Sequence, residues 1–480
     1  MVSILLLVVA PAKLDADGYG QIQLATAFVG FFVLIGSLGS SPYMVKEIAR
    51  DPGVVGPLVD SAIQLKLVLG TLLSAMALAL GTVLGYSGQI IALIAIGCVG
   101  MILALLNEVI AAGLAGLERM AGVAGWQAAQ VYLGTLAGVT VLLTSRSLLA
   151  FAATTALAWL LPVIANYITL RRHVVASATP PRQRLPWKPM IVGGAPLVAL
   201  TVLNLIYGTI DIPLLEFVSG AKIVGFYALA YRWVSMPIFI VTIVVTAFFP
   251  KMSALATTAA DAFAALTNRA LRMVVFITIP ASVGVILVAA DLLNLLYGDK
   301  YDESVSLMQI LSIHIPFAAV DTVLATALIA SNQHRRYILV SAAAAILNPP
   351  LALLAIHVAH DRYANGAVGA AAITVCTELF ITVCAIRMRP KGVIDRPTLR
   401  FIARCLIAAA AMVVPVLAIW NLGLFLKVAV GGATYAVASL ALRTISADRV
   451  RRVAREFRKR EPAEPNDDGS DEMSTTGTES

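Results

Sequence analysis

Apolar residues in this chain are gathered into long unbroken runs separated by short polar stretches. They do not alternate with polar residues at the period of a surface strand or helix. Fourteen runs can be drawn, at roughly 1–12, 21–43, 61–84, 89–112, 121–144, 147–170, 190–210, 222–249, 270–296, 305–330, 336–358, 366–386, 401–420 and 424–442. A helix that crosses a bilayer needs roughly 20 such residues, because the hydrocarbon core is about 30 Å thick and each residue rises about 1.5 Å. Continuous runs predict helices, whereas a transmembrane barrel would alternate. The first run is an exception. From Val2 to Ala12 it covers only half a bilayer before Lys13, Asp15 and Asp17. Met1-Val2-Ser3 lacks the basic start of a signal peptide. The expectation is a truncated-looking first helix: either a segment is missing before it, or a half-length helix packs against its neighbours.

Composition agrees with a membrane location. Of 480 residues, 59% are hydrophobic and 13% charged, against about 45–50% and about 25% in soluble domains. The net charge of +8 could suggest nucleic acid, but its distribution points elsewhere. With the loop after the second run taken as cytoplasmic and the rest alternating, seventeen Lys and Arg fall in cytoplasmic loops. Only six, Lys13, Arg146, Lys222, Lys300, Arg362 and Lys427, fall opposite. This excess predicts a multi-pass protein of the cytoplasmic membrane with its C-terminus in the cytoplasm. Arg449 to Arg460 is basic and suited to anionic headgroups; the acidic, Ser/Thr-rich end from Glu461 to Ser480 predicts disorder. Cys98, Cys376, Cys384 and Cys405 lie in or beside apolar runs without CxxC spacing, so they read as small buried hydrophobes, and no metal site is expected.

The chain also resembles itself. Gly18-Tyr19-Gly20 precedes a run ending at Ser41-Pro42-Tyr43-Met44, and Gly225-Phe226-Tyr227 precedes one ending at Phe249-Pro250-Lys251-Met252. Two tandem repeats around a central cavity are a transporter pattern. The predicted organisation is all-α: an N-terminal six-helix lobe over 1–170, a cytoplasmic linker over 171–189, a C-terminal six-helix lobe over 190–390, two additional membrane helices over 391–443, and a tail over 444–480.

Five motifs, in order, carry a family resemblance. They are Asp17-Gly18-Tyr19-Gly20 with Glu47-Ile48-Ala49-Arg50; Gly116-Leu117-Glu118-Arg119-Met120; Asp211 with Val224-Gly225-Phe226-Tyr227-Ala228-Leu229-Ala230-Tyr231-Arg232; Leu295-Leu296-Tyr297-Gly298-Asp299-Lys300-Tyr301 with Ser304; and Asn348 with Asn365-Gly366-Ala367-Val368-Gly369-Ala370-Ala371-Ala372. Over residues 17–372 the chain resembles the polysaccharide-export flippases, whose superfamily also holds multidrug and lipid II exporters. The resemblance implies a two-lobe fold of twelve core helices plus two. It also implies alternating access for a polyprenyl-pyrophosphate-linked oligosaccharide, with no cofactor and no particular sugar. Polymerases or glycosyltransferases of the same pathway are implied partners.

Such a cargo has an anionic, hydrated headgroup, so the carrier needs Lys or Arg facing a cavity within its helices. Arg232 and Lys66 are the deep candidates, with Lys46 and Arg50 at the cytoplasmic mouth. Snorkelling to the interface, ion pairing or plain topology would also account for them. Coupling to H+ or Na+ would need a carboxylate, and Asp321, Glu378 and Glu108 are the candidates. Asp211 and Asp291, near outer helix ends, are expected to be solvated, and His314 to be a packing residue. Two other functions remain open: a cation-coupled multidrug antiporter of the same fold, and a membrane-embedded polymerase or glycosyltransferase. The short outer loops carry no catalytic constellation for the second.

Overall fold

A computed structural model describes residues 2–145, 147–176, 187–188, 190–191 and 208–444. The linker over 171–189, the run 190–210 and the tail lie wholly or largely outside them. The described residues form helices and turns: α1 Val2–Lys13, α2 Ala16–Ser37, α3 Ser40–Arg50, α4 Val55–Val83, α5 Gly88–Gly116, α6 Met120–Thr144, α7 Leu148–Leu157, α8 Leu160–Ala176, α9 Asp211–Ser219, α10 Ala221–Thr258, α11 Ala260–Tyr297, α12 Asp302–Ser312, α13 Ile315–Ala330, α14 His334–Tyr363, α15 Gly366–Met388, α16 Arg396–Ala418 and α17 Leu424–Ala441. Eleven helical stretches among them are long and apolar enough to cross a membrane. This is an all-α, multi-pass integral membrane protein.

Helix starts follow local chemistry. Asp15 accepts from the Gly18 backbone N–H at 2.9 Å to cap α2, and Asp395 accepts from the Thr398 N–H at 2.8 Å to cap α16. Ser87, Ser147 and Asn365 cap α5, α7 and α15 in the same way. Each satisfies a backbone donor that the helix itself leaves unpaired.

The run at 21–43 is where the two sequence repeats part company. It does not continue as one helix. Leu38 and Gly39 both take left-handed backbone angles, with φ of 53° and 56°, and the chain restarts as α3. Its counterpart α10 runs unbroken for 38 residues through Pro237 and Pro250. The break in the first repeat exposes the last carbonyls of α2, and a buried lysine occupies them, as described below.

Packing divides the molecule by height. At the end carrying Asp15, one core joins both halves of the chain. It holds Leu7, Leu14, Tyr19, Leu142 and Phe151 from the N-terminal half and Phe226, Leu229, Leu293, Tyr301 and Ile356 from the C-terminal half. At the end carrying Lys46 there are two separate cores. One, around Met44, Ile48, Leu58, Val109 and Leu170, is N-terminal apart from Met190. The other, around Val241, Leu271, Val323 and Cys405, is wholly C-terminal. Among the described residues the halves therefore share a core at the Asp15 end, whereas at the Lys46 end only Met190 joins the N-terminal core.

The half-length first helix is held by this shared end. The Tyr297 hydroxyl donates to the Leu7 carbonyl at 3.1 Å, and the Tyr301 hydroxyl donates to those of Pro11 and Leu14 at 3.2 and 3.4 Å. At the opposite edge, α16 and α17 pack on α11 through Cys405, Ala408, Ala409 and Tyr435. Cys98 and Cys405 are buried as expected, but Cys376 is exposed because it lies on the outward face of α15.

Candidate functional site

Lys66 projects from α4 and is 0% exposed. Its ammonium donates to the Gly36 carbonyl at 2.8 Å and the Ser37 carbonyl at 2.5 Å, and lies 3.5 Å from Glu108 Oε2. Those carbonyls belong to the last turn of α2, whose dipole is negative at that end. Glu108 Oε1 in turn accepts from Ser37 and Ser41, both at 2.7 Å. Lys66 was expected to face an anionic headgroup; in this conformation it is a satisfied internal cation that braces the α2–α3 break. An unpaired charge at this depth would be costly, and pairing it removes that cost. Glu108, a coupling candidate, is the counter-ion.

Arg232 is placed differently. It lies on α10, is exposed, and has no ion pair among the described residues. It sits seven residues after Gly225, so both share one helix face. Its neighbours Tyr231, Trp233 and Val234 belong to or pack against the shared core, so Arg232 lies on an exposed face of α10 at the level of that core. Lys46 is exposed on α3, and exposed Arg50 lies 3.6 Å from Glu47.

The C-terminal half holds the buried acids. The Tyr337 hydroxyl donates to Asp321 Oδ2 at 2.7 Å, while Oδ1 is buried without a partner among the described residues. Glu378, 9% exposed, lies within electrostatic reach of Tyr231 and Tyr337. The structure thus brings Asp321 and Glu378 into one neighbourhood and leaves Glu108 in the other half.

Asp211 was expected to be solvated. Instead it is 6% exposed, because α10 and α15 cover it. Its Oδ2 accepts from the hydroxyls of Tyr227 and Thr374, both at 3.1 Å, and Oδ1 has no partner among the described residues. Sequence reading singled out the Tyr227 motif but not its bond to Asp211; the separation of 16 residues spans a helix junction that periodicity does not resolve. Asp291, also expected in solvent, binds the Lys427 ammonium at 2.7 and 2.8 Å. Lys427, counted as an outer-loop residue, is 1% exposed inside α17, with its ammonium 4.4 Å from the Trp420 ring centroid. His314 stacks on Tyr231 and contacts the Leu311 carbonyl through Nδ1, a packing role.

Between α2, α5 and α7 lies a cavity of about 420 Å³, lined by Ala25, Val29, Gly30, Gly97, Ala152 and Trp159 among others. Its walls are mostly apolar, with Thr26 and Thr155 among them.

The fold is similar to the lipid II flippase MurJ in an inward closed conformation, with a TM-score of 0.64 at 13% identity, covering 89% of this chain and 96% of that one. It is equally similar to an inward-facing multidrug resistance MATE family transporter of the MOP superfamily, with a TM-score of 0.64 at 14% identity over 81% of this chain and 94% of that one. A MOP superfamily transporter from Pyrococcus furiosus aligns with a TM-score of 0.51 at 14% identity, over 80% and 95% of the two chains. At such identities the likeness establishes the fold. No curated protein matches the sequence. A family model described as polysaccharide biosynthesis protein matches residues 14–306, more than half of the chain, and the protein belongs to that family.

Proposed function

We propose that this protein carries a polyprenyl-pyrophosphate-linked oligosaccharide across the cytoplasmic membrane by alternating access. One observation carries the reading. The halves share a core at the Asp15 end and have largely separate cores at the Lys46 end, and an exposed arginine with no ion pair among the described residues lies on α10, which enters the shared core. The loop-charge excess assigns the Lys46 end and the C-terminus to the cytoplasm, so the conformation is open inward.

In this reading the lobes are residues 1–170 and 190–390, joined by 171–189, with 391–443 appended. The headgroup enters past Lys46 and Arg50 and meets Arg232 at the roof of the opening. Guanidinium geometry matches the oxygens of a pyrophosphate by paired hydrogen bonds. The polyprenyl tail stays in lipid or apolar grooves, for which the cavity between α2, α5 and α7 is chemically suited. Transport of a preformed glycolipid needs no bond to be made or broken, so the protein acts as a carrier and not as an enzyme. Glycosyltransferases and a polymerase of the same pathway would supply and consume the cargo.

The buried acids Asp211, Asp321 and Glu378 favour coupling to H+ or Na+ in the C-terminal lobe, since a carboxylate can be filled in one state and empty in the other. They also support a second reading, a cation-coupled multidrug antiporter. The experiment that tests the first is export of surface glycan in cells. Replacing Arg232 by Ala should abolish export while Arg232→Lys retains part of it, and unchanged export in Arg232→Ala would overturn the reading. Ethidium efflux that depends on Asp211 and Asp321 would favour the antiporter.

A further inference from the structure

Two glycines at matching places in the repeats make an unusually close contact. A Cβ on Gly20 would lie 1.8 Å from the Ala221 carbonyl oxygen and 2.8 Å from the Gly225 nitrogen. A Cβ on Gly225 would lie 1.9 Å from the Ala16 carbonyl oxygen. The contact is reciprocal: each glycine receives the carbonyl four residues before its counterpart. α2 and α10 therefore cross backbone to backbone, with local two-fold symmetry, in a way that residues with a side chain cannot match.

The crossing has two properties that suit a moving part. First, it leaves little unsatisfied when broken. The Ala16 and Ala221 carbonyls fall at the i−4 positions of Gly20 and Gly225 and so already accept helical hydrogen bonds. The contact between helices adds only weak Cα–H···O interactions. Among the described residues no ion pair at the crossing has to be pulled apart, unlike Lys66 with Glu108. Second, it lies near the outer ends of both helices, within the core that the halves share and beside the tyrosine clasp on α1, whereas at the opposite end the halves have largely separate cores.

We infer that the Gly20–Gly225 crossing is the outer gate of the protein, closed here by backbone contact and parted when cargo leaves to the outer side. This rests on the alternating-access reading of the previous section. It adds that closure requires both positions to lack a Cβ, so any side chain there wedges the outer ends apart.

Distances between spin labels test it in the full-length chain with its native cysteines replaced. Labels at Ser145 and Arg362, exposed at the outer ends of opposite halves, report the gate. Labels at Arg119 and Lys391, exposed at the other ends, report the inner opening. Gly20→Val and Gly225→Val should shift the outer pair to longer distances, and Gly20→Ala should do so in part. An unchanged outer distance in folded variants would overturn the inference and leave the glycines as static packing. A lengthened outer distance with no shortening of the inner one would keep the gate and refute alternating access. If the valine and alanine variants do not fold, the native-glycine protein decides. Two outer-pair populations support the gate; a single short one overturns it.

Discussion

The two halves of the molecule treat buried charge in opposite ways. In the N-terminal half the deep residue is a cation, Lys66, and its surroundings satisfy it: two carbonyls freed by a helix break, and Glu108, itself held by two serines. In the C-terminal half one deep cation, Lys427, is likewise paired, with Asp291, but the other deep charged residues are acids. Asp211 and Asp321 each have one oxygen engaged by hydroxyls and one without a partner among the described residues. The first arrangement is closed and structural. The second leaves acceptor capacity unfilled. The repeats that make the halves alike in outline thus place different chemistry inside them.

The sharpest way to break this comparison is Lys66→Met. It leaves Glu108 and two carbonyls without their cation, and removing one partner of a buried pair costs about 3–5 kcal/mol. A large drop in thermal midpoint in detergent is expected, recovered in part by adding Glu108→Gln. A midpoint equal to that of the unmodified protein would show that the pair does not brace the bundle. Asp211→Asn should behave differently. It keeps an acceptor for Tyr227 and Thr374, so stability should change by less than about 1 kcal/mol, the range of interhelical hydrogen bonds in membranes. Transport should nevertheless be lost, and retained export would remove Asp211 from the coupling group. Tyr337→Phe deletes only the donor to Asp321, and a loss of about 0.6 kcal/mol is expected from the same kind of bond, read by equilibrium unfolding.

The smallest effect lies outside the spans. The Thr398 side chain, with its backbone N–H and the Arg272 guanidinium, holds the Asp395 carboxyl below its ordinary value, against the opposing effect of burial. A carboxyl with a lowered folded value stabilises the fold above its unfolded value and loses that contribution as pH falls through the folded one. Stability should therefore be flat at neutral pH and decline in the acid range. Asp395→Asn should remove that part of the decline.

Much of the fold was legible before any coordinates. Run length needs only local hydropathy, and each run other than 190–210 coincides with a described helix or helix pair. The first run forms the 12-residue helix α1. The site was less legible. Arg232 and Lys66 look alike in sequence, each a lone cation within an apolar run. One turned out exposed and the other enclosed, because exposure depends on helix rotation and on which neighbour fills the facing groove. Asp291 and Lys427 looked like end-of-helix residues until α17 packed against α11 and joined them over 136 positions.

By itself, the sequence determined that the chain is a helical membrane protein with an internal repeat, because apolar length and repeated motifs are properties read along the chain. Only the tertiary structure decided which charges are paired and where the halves touch. It also decided that Gly20 and Gly225 bring two backbones into contact. These are relations between residues far apart in sequence, fixed by the depth and rotation of packed helices, and no local pattern encodes them.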